Sequence, residues 1–97
     1  MQIKIQSIHF DADTKLIQFV EEKVGKLNSI HDRITAGEVF LRLDKNKENE
    51  NKIAEIKINV PGKELFASRQ CKSFEEAVDL SVEALRTQVL KHKEKQG

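Results

Sequence analysis

The chain has 97 residues, 38% of them apolar and 34% charged, which is enough for one hydrophobic core and too little for two. Seventeen lysines and arginines face sixteen aspartates and glutamates, so a net charge of +1 excludes whole-molecule attraction to nucleic acid or anionic lipid, and any electrostatic footprint must come from segregated charge. The single cysteine, Cys71, excludes an internal disulfide, the start MQIKIQSIHF lacks a secretory pattern, and no apolar run approaches the roughly 20 residues of a bilayer span; a soluble, cytoplasmic protein with no membrane partner is expected.

From Gln2 to Ser7, Ile3 and Ile5 alternate with Lys4 and Gln6, the period of a half-buried strand. The period then changes. Leu16, Val20, Val24 and Leu27 recur at spacings of four and three, one stripe of a helix capped by Asp13 and running to about Asn28. SIHDRITAG connects to a second strand, GEVFLRLD, with Val39, Leu41 and Leu43 on one face and Phe40 and Arg42 on the other. KNKENENK has no apolar anchor and reads as a mobile hairpin loop. In IAEIKINV, Ala54, Ile56, Ile58 and Val60 face inward and Glu55, Lys57 and Asn59 outward; Pro61-Gly62 suits a type II turn into a fourth strand, KELFASRQ. A capping box at Ser73 and Glu76 opens the last helix, SFEEAVDLSVEALRTQVLKHKEK, whose stripe is Phe74, Val78, Val82, Leu85 and Val89. The order β-α-β-β-β-α predicts an α+β fold with two helices on one face of a four-stranded, mostly antiparallel sheet, a single domain over residues 1–97.

Catalytic grammar is missing. His9, His31 and His92 are dispersed without a second ligand at metal spacing, Cys71 reads as a small space-filler, and Asp11 and Asp13 precede a helical stripe, where turn formation and capping account for them. With no glycine-rich phosphate loop and no nucleophile setting, the expectation is no enzyme, metal, cofactor or small-molecule substrate.

Charge geometry is more informative. From Ala84 to Gly97, Arg86, Lys91, Lys93 and Lys95 stand against Glu94 alone, +3 for this segment and −2 for the rest of a +1 chain. Arg86 and Lys93, seven apart, lie along one edge of the helix, while Lys91 and Lys95 share a neighbouring face. The first helix adds Lys15, Lys23 and Lys26, and helices side by side on the sheet would merge these into one basic tract. Cations at a helix C-terminus also stabilise its dipole, by about 0.3–1 kcal/mol each, so dipole compensation and phosphate binding both fit. Trp and Tyr are absent and the five Phe fall mostly near core periodicity, so a nucleic-acid grip would be to backbone and shape rather than to stacked bases.

Several spaced segments resemble one family: FVEEKVGKL from Phe19 to Leu27, DRI from Asp32 to Ile34, Ala67-Ser68, AVD from Ala77 to Asp79, and KHKEK from Lys91 to Lys95. Across essentially the whole chain they are similar to the ribosome hibernation promoting factors, also called ribosome-associated inhibitors or sigma factor modulation proteins. The resemblance implies a fold similar to double-stranded RNA-binding domains, seated in the small-subunit cleft between head and body. There it would occupy the path of mRNA and of A-site and P-site tRNA and inhibit translation under stress or in stationary phase. It implies ribosomal RNA contacts at Lys23, Lys26, Arg33, Lys91, Lys93 and Lys95. Arg86, one position before the usual arginine, would compensate for Ala84 and Thr87 where many members carry Lys and Arg, and Glu75 stands where Tyr is frequent. The chain resembles the short members, without a dimerisation domain, and is expected to be monomeric off the ribosome. Two alternatives stand beside this reading: a module that modulates a transcription (sigma) factor, and a general double-stranded RNA-binding domain.

Overall fold

The computed structural model describes residues 1–96, so Gly97, the end of the expected 1–97 unit, lies outside it. Its elements are β1 (Gln2–Ser7), α1 (Thr14–Gly25), a 3₁₀ turn (Lys26–Ser29), β2 (Ala36–Leu43), β3 (Lys52–Val60), β4 (Lys63–Cys71) and α2 (Phe74–Gln96). The four strands form one sheet in the order β1-β2-β3-β4. β1 pairs with β2 in parallel, Ile3 opposite Gly37, whereas β2 with β3 and β3 with β4 are antiparallel, Val39 opposite Ile56 and Ile56 opposite Ala67. A parallel pair needs a long crossover, and α1 supplies it.

Strand alternation decides which face is covered. Val39, Leu41, Ala54, Ile56, Ile58, Val60, Leu65 and Ala67 point to the helical side and join Val20, Val24, Leu27, Val78, Leu85 and Val89 in one buried cluster. α1 lies close to the sheet at Gly37, where an added Cβ would come within 3.6 Å of Val24 Cγ1 and 3.3 Å of Met1 Sδ. The local signals hold as well. Asp13 Oδ1 accepts from the Leu16 N–H at 2.8 Å and the Ser73 hydroxyl accepts from the Glu76 N–H at 3.1 Å, the N-caps of the two helices. Gly62 turns the chain at φ 76°, the left-handed conformation that a type II turn demands.

Three expectations need correction. α1 ends at Gly25 rather than near Asn28: the chain tightens into a 3₁₀ turn, where the Ile30 N–H reaches Leu27 O and the Ser29 hydroxyl donates to Lys26 O at 2.6 Å, while Leu27 stays buried. Leu43, expected inward, is 38% exposed, because it ends β2 beyond the cover of the helices. Phe66 follows strand alternation onto the uncovered sheet face and is 52% exposed. The β2–β3 connection, expected to be loose, is bound to its neighbours: Gln70 Nε2 donates to Asp44 Oδ2 and to Glu50 O, both at 3.0 Å, and Asn51 Nδ2 donates to Lys47 O at 3.2 Å. The Gln70 amide, and next the Asn46 N–H, hold the Asp44 carboxyl below the usual carboxylate range.

Candidate nucleic-acid interface

Two helices of unequal length set the geometry. α2 runs on past the end of α1, so its last turns lie beside the loop that follows the 3₁₀ turn. Lys93 Nζ donates to Ile30 O at 2.6 Å and ties the two together. At about 100° per residue, Lys93 sits within roughly 20° of Arg86 around the α2 axis, whereas Lys91 and Lys95 are roughly 140° and 180° away.

The seven sequence-predicted residues therefore fall into two groups on opposite sides of α2. On one side, Lys23, Lys26 and Arg86 line a cleft between the helices, with Ser29, Asp79 and Glu83. Next to it, Arg33 and Lys93 line a second hollow with Asn28, Ser29 and Asp32. On the other side, Lys91 and Lys95 line a hollow with Lys63 and Gln88. The tract is thus split by α2 instead of continuous. Lys63, just after the Pro61-Gly62 turn, belongs to the second group; sequence reasoning missed it because nothing local to β4 says that the end of α2 crosses there.

On the uncovered sheet face Arg42 and Lys57 are paired: Arg42 Nε meets Glu55 Oε1 at 2.9 Å, and Lys57 Nζ lies 3.9 Å from Glu38 and 3.8 Å from Glu64. The hydrogen bond to Glu55 and then its charge raise the Arg42 pKa. On the helical side Lys23 Nζ is 3.4 Å from Asp79 Oδ1 and 5.6 Å above the Phe19 ring, and Lys26 Nζ is 3.9 Å from Glu22 Oε1, one helical turn away. Among the described residues, Arg33, Arg86, Lys91, Lys93 and Lys95 have no carboxylate within ion-pair distance. These five, with the loosely paired Lys26, are cations available to an anionic surface. Exposed cations of this kind meet phosphates by charge and shape, with little base reading.

Beneath them the structure joins two residues that looked unrelated in sequence. The rings of His31 and His92 stack with centroids 6.0 Å apart. Cys71 is buried and free, and burial pushes its thiol pKa up, with nearby Glu76 adding to the effect. Among the described residues no three His, Cys, Asp or Glu side chains are grouped to hold a metal ion, and no helix is long and apolar enough to cross a membrane.

Comparison with known proteins sets this geometry in a family. The family described as "Sigma 54 modulation protein / S30EA ribosomal protein" matches residues 3–97. The ribosome hibernation promoting factor of Azotobacter vinelandii is 34% identical over 96 residues, covering 99% of this chain and 86% of that protein. The Escherichia coli K12 protein of the same name is 30% identical over 95 residues, 98% of this chain and 96% of its own. Among solved structures, a ribosomal subunit interface protein from Coxiella burnetii superposes with a TM-score of 0.84 at 25% identity, covering 96% of this chain and 98% of that one. The N-terminal domain of Thermus thermophilus Protein Y superposes at 0.82 and 26% identity, covering 95% of this chain and 99% of the other. Matched in sequence over nearly its full length, and in the layout of one mixed sheet and two helices, this chain belongs to the Sigma 54 modulation protein / S30EA ribosomal protein family.

Proposed function

We propose that the chain is a non-enzymatic ribosome hibernation factor, a single ribosome-binding domain, monomeric off the ribosome, that sits on the small subunit in the mRNA and tRNA channel. One observation carries the reading: five exposed cations without a carboxylate partner, Arg33, Arg86, Lys91, Lys93 and Lys95, gather about the C-terminal half of α2 and the loop beside it. Lys26, Arg33, Arg86, Lys91, Lys93 and Lys95 neutralise ribosomal RNA phosphates, and Lys23 does so to the extent that Asp79 releases it. The two groups on either side of α2 straddle an RNA ridge, and the bulk of the sheet behind them excludes tRNA and mRNA. The names of the relatives, hibernation promoting factors and a subunit interface protein, support the ribosome as partner and the cytoplasm as the place of action.

Reversing Lys91, Lys93 and Lys95 to Glu tests the assignment. Co-sedimentation with purified small subunits is expected to disappear while the circular dichroism spectrum is kept; retained binding would remove these residues from the interface. A second reading, a protein-interaction module acting on a transcription factor, is favoured by one feature, the 52% exposed Phe66 on the sheet face that no helix covers. It predicts a stable protein complex that survives nuclease treatment and is lost in Phe66→Ser.

A further inference from the structure

His31, in the loop after the 3₁₀ turn, is 8% exposed, and its ring stacks on that of His92 at 6.0 Å with 26° between the planes. The Nε2 atoms of both rings are buried without a hydrogen-bond partner. Arg33 donates its backbone N–H to His31 Nδ1 at 3.3 Å, so the neutral His31 ring carries its own hydrogen on Nε2. That tautomer has no lone pair to offer at Nε2, which argues against the two nitrogens clasping a metal ion. Proton uptake is the remaining chemistry.

The charged side chains nearby are mostly cationic. Around the pair, the loop presents Asp32 and Arg33, α2 presents Lys91, Lys93 and Lys95, and the β3–β4 turn presents Lys63. Glu94, roughly 200° around the helix from His92, faces away. One carboxylate thus stands against five cations before either imidazole is charged. Charging both adds a like pair 6.0 Å apart, which at the effective dielectric of a protein surface shifts an open–closed equilibrium by roughly tenfold to a hundredfold. The polar contacts of the loop are few: the Ile30 and His31 N–H groups both reach Leu27 O at 3.1 Å, Lys93 holds Ile30 O by one bond, and Asn28 Nδ2 reaches His31 O and Ile34 O at 3.4 and 3.5 Å.

We propose that the His31–His92 pair is a pH-operated latch: with both imidazoles neutral it seals the last turns of α2 against the loop after α1, and on acidification the charged rings repel and release them. The latch fixes where Lys91, Lys93 and Lys95 project, yet it is a property of the free protein and stands apart from the ribosome reading. The test follows backbone ¹³Cα and amide shifts of Val89–Lys95 by NMR from about pH 8 to about pH 5, a range that brackets imidazole titration. The helical shifts of these residues are expected to collapse toward coil values in step with the histidine ring signals, while those of Val20 and Ile56 stay constant. His31→Phe and, separately, His92→Phe keep a packed ring without the charge and are each expected to abolish the transition; Asp32→Asn is expected to preserve it. Constant helical shifts across the range in the natural protein would overturn the latch, as would a transition of unchanged size in either phenylalanine variant that folds.

Discussion

Replacing Asp79 with Asn is expected to tighten binding to the small ribosomal subunit, although it removes an ion pair. Asp79 Oδ1 lies 3.4 Å from Lys23 Nζ, and the carboxylate side chain is 52% exposed. A phosphate oxygen contacting Lys23 would come within about 6 Å of Asp79, and two unit charges at that distance in a water-like dielectric repel by about 0.7 kcal/mol. The half-exposed setting puts the effect near this end of the scale, so affinity should rise about threefold at low salt. Freeing Lys23 also adds one phosphate contact, steepening the dependence of log K on log salt by about 0.7–0.9. The fold should tolerate the change, since surface pairs contribute about 0–1 kcal/mol. Fluorescence anisotropy of labelled protein against purified small subunits, over a potassium chloride series, reads both quantities. Lys23→Gln should move both the opposite way. Unchanged or weaker binding by a folded Asp79→Asn protein would show that Lys23 does not face RNA.

Leu85 is fully buried between α2 and the sheet, so Leu85→Ala should cost about 2–5 kcal/mol in a urea melt. Ser81 is equally buried, with a hydroxyl that finds no partner, and Ser81→Ala should therefore stabilise by about 1 kcal/mol; a loss of stability would mean that the hydroxyl is bonded after all. Cys71 should resist alkylation by iodoacetamide in the folded protein and react in urea, because burial both shields the thiol and raises its pKa. Asp44 is held ionised by the Gln70 amide and the Asn46 N–H, so folding favours its carboxylate; that contribution is in place above the unfolded pKa of about 4 and is lost as pH falls through the lower folded value. Asp44→Asn should therefore flatten the acid limb of stability measured against pH.

Where a residue's role depends on its neighbours in sequence, the sequence was readable. Alternation in Ala54, Ile56, Ile58 and Val60, the caps at Asp13 and Ser73, and the Pro61-Gly62 turn are local effects, and each is met in the structure. The end of α1 was misread because Leu27 keeps helical phase through a 3₁₀ turn, which one apolar position cannot distinguish from another α turn. Leu43 was misjudged for a different reason: alternation tells which face a strand residue takes, not where the helical cover stops. The same limit applies to the interface. Helical spacing correctly separated Arg86 and Lys93 from Lys91 and Lys95, yet only the packing of α2 shows that the 3₁₀ turn borders one pair and Lys63 the other. Likewise Asp79 as the partner of Lys23, and His31 as the partner of His92, arise from contacts between elements far apart in the chain.

A domain that occupies the channel of mRNA and tRNA must compete with them on the small subunit. Purified small subunits carrying mRNA and labelled P-site tRNA would be titrated with the protein and separated on a sucrose gradient. Transfer RNA is expected to leave the subunit in proportion as the protein joins it, and the Lys91, Lys93 and Lys95 to Glu variant is expected to displace none. Protein and tRNA travelling together on the same subunit at saturation would contradict such competition.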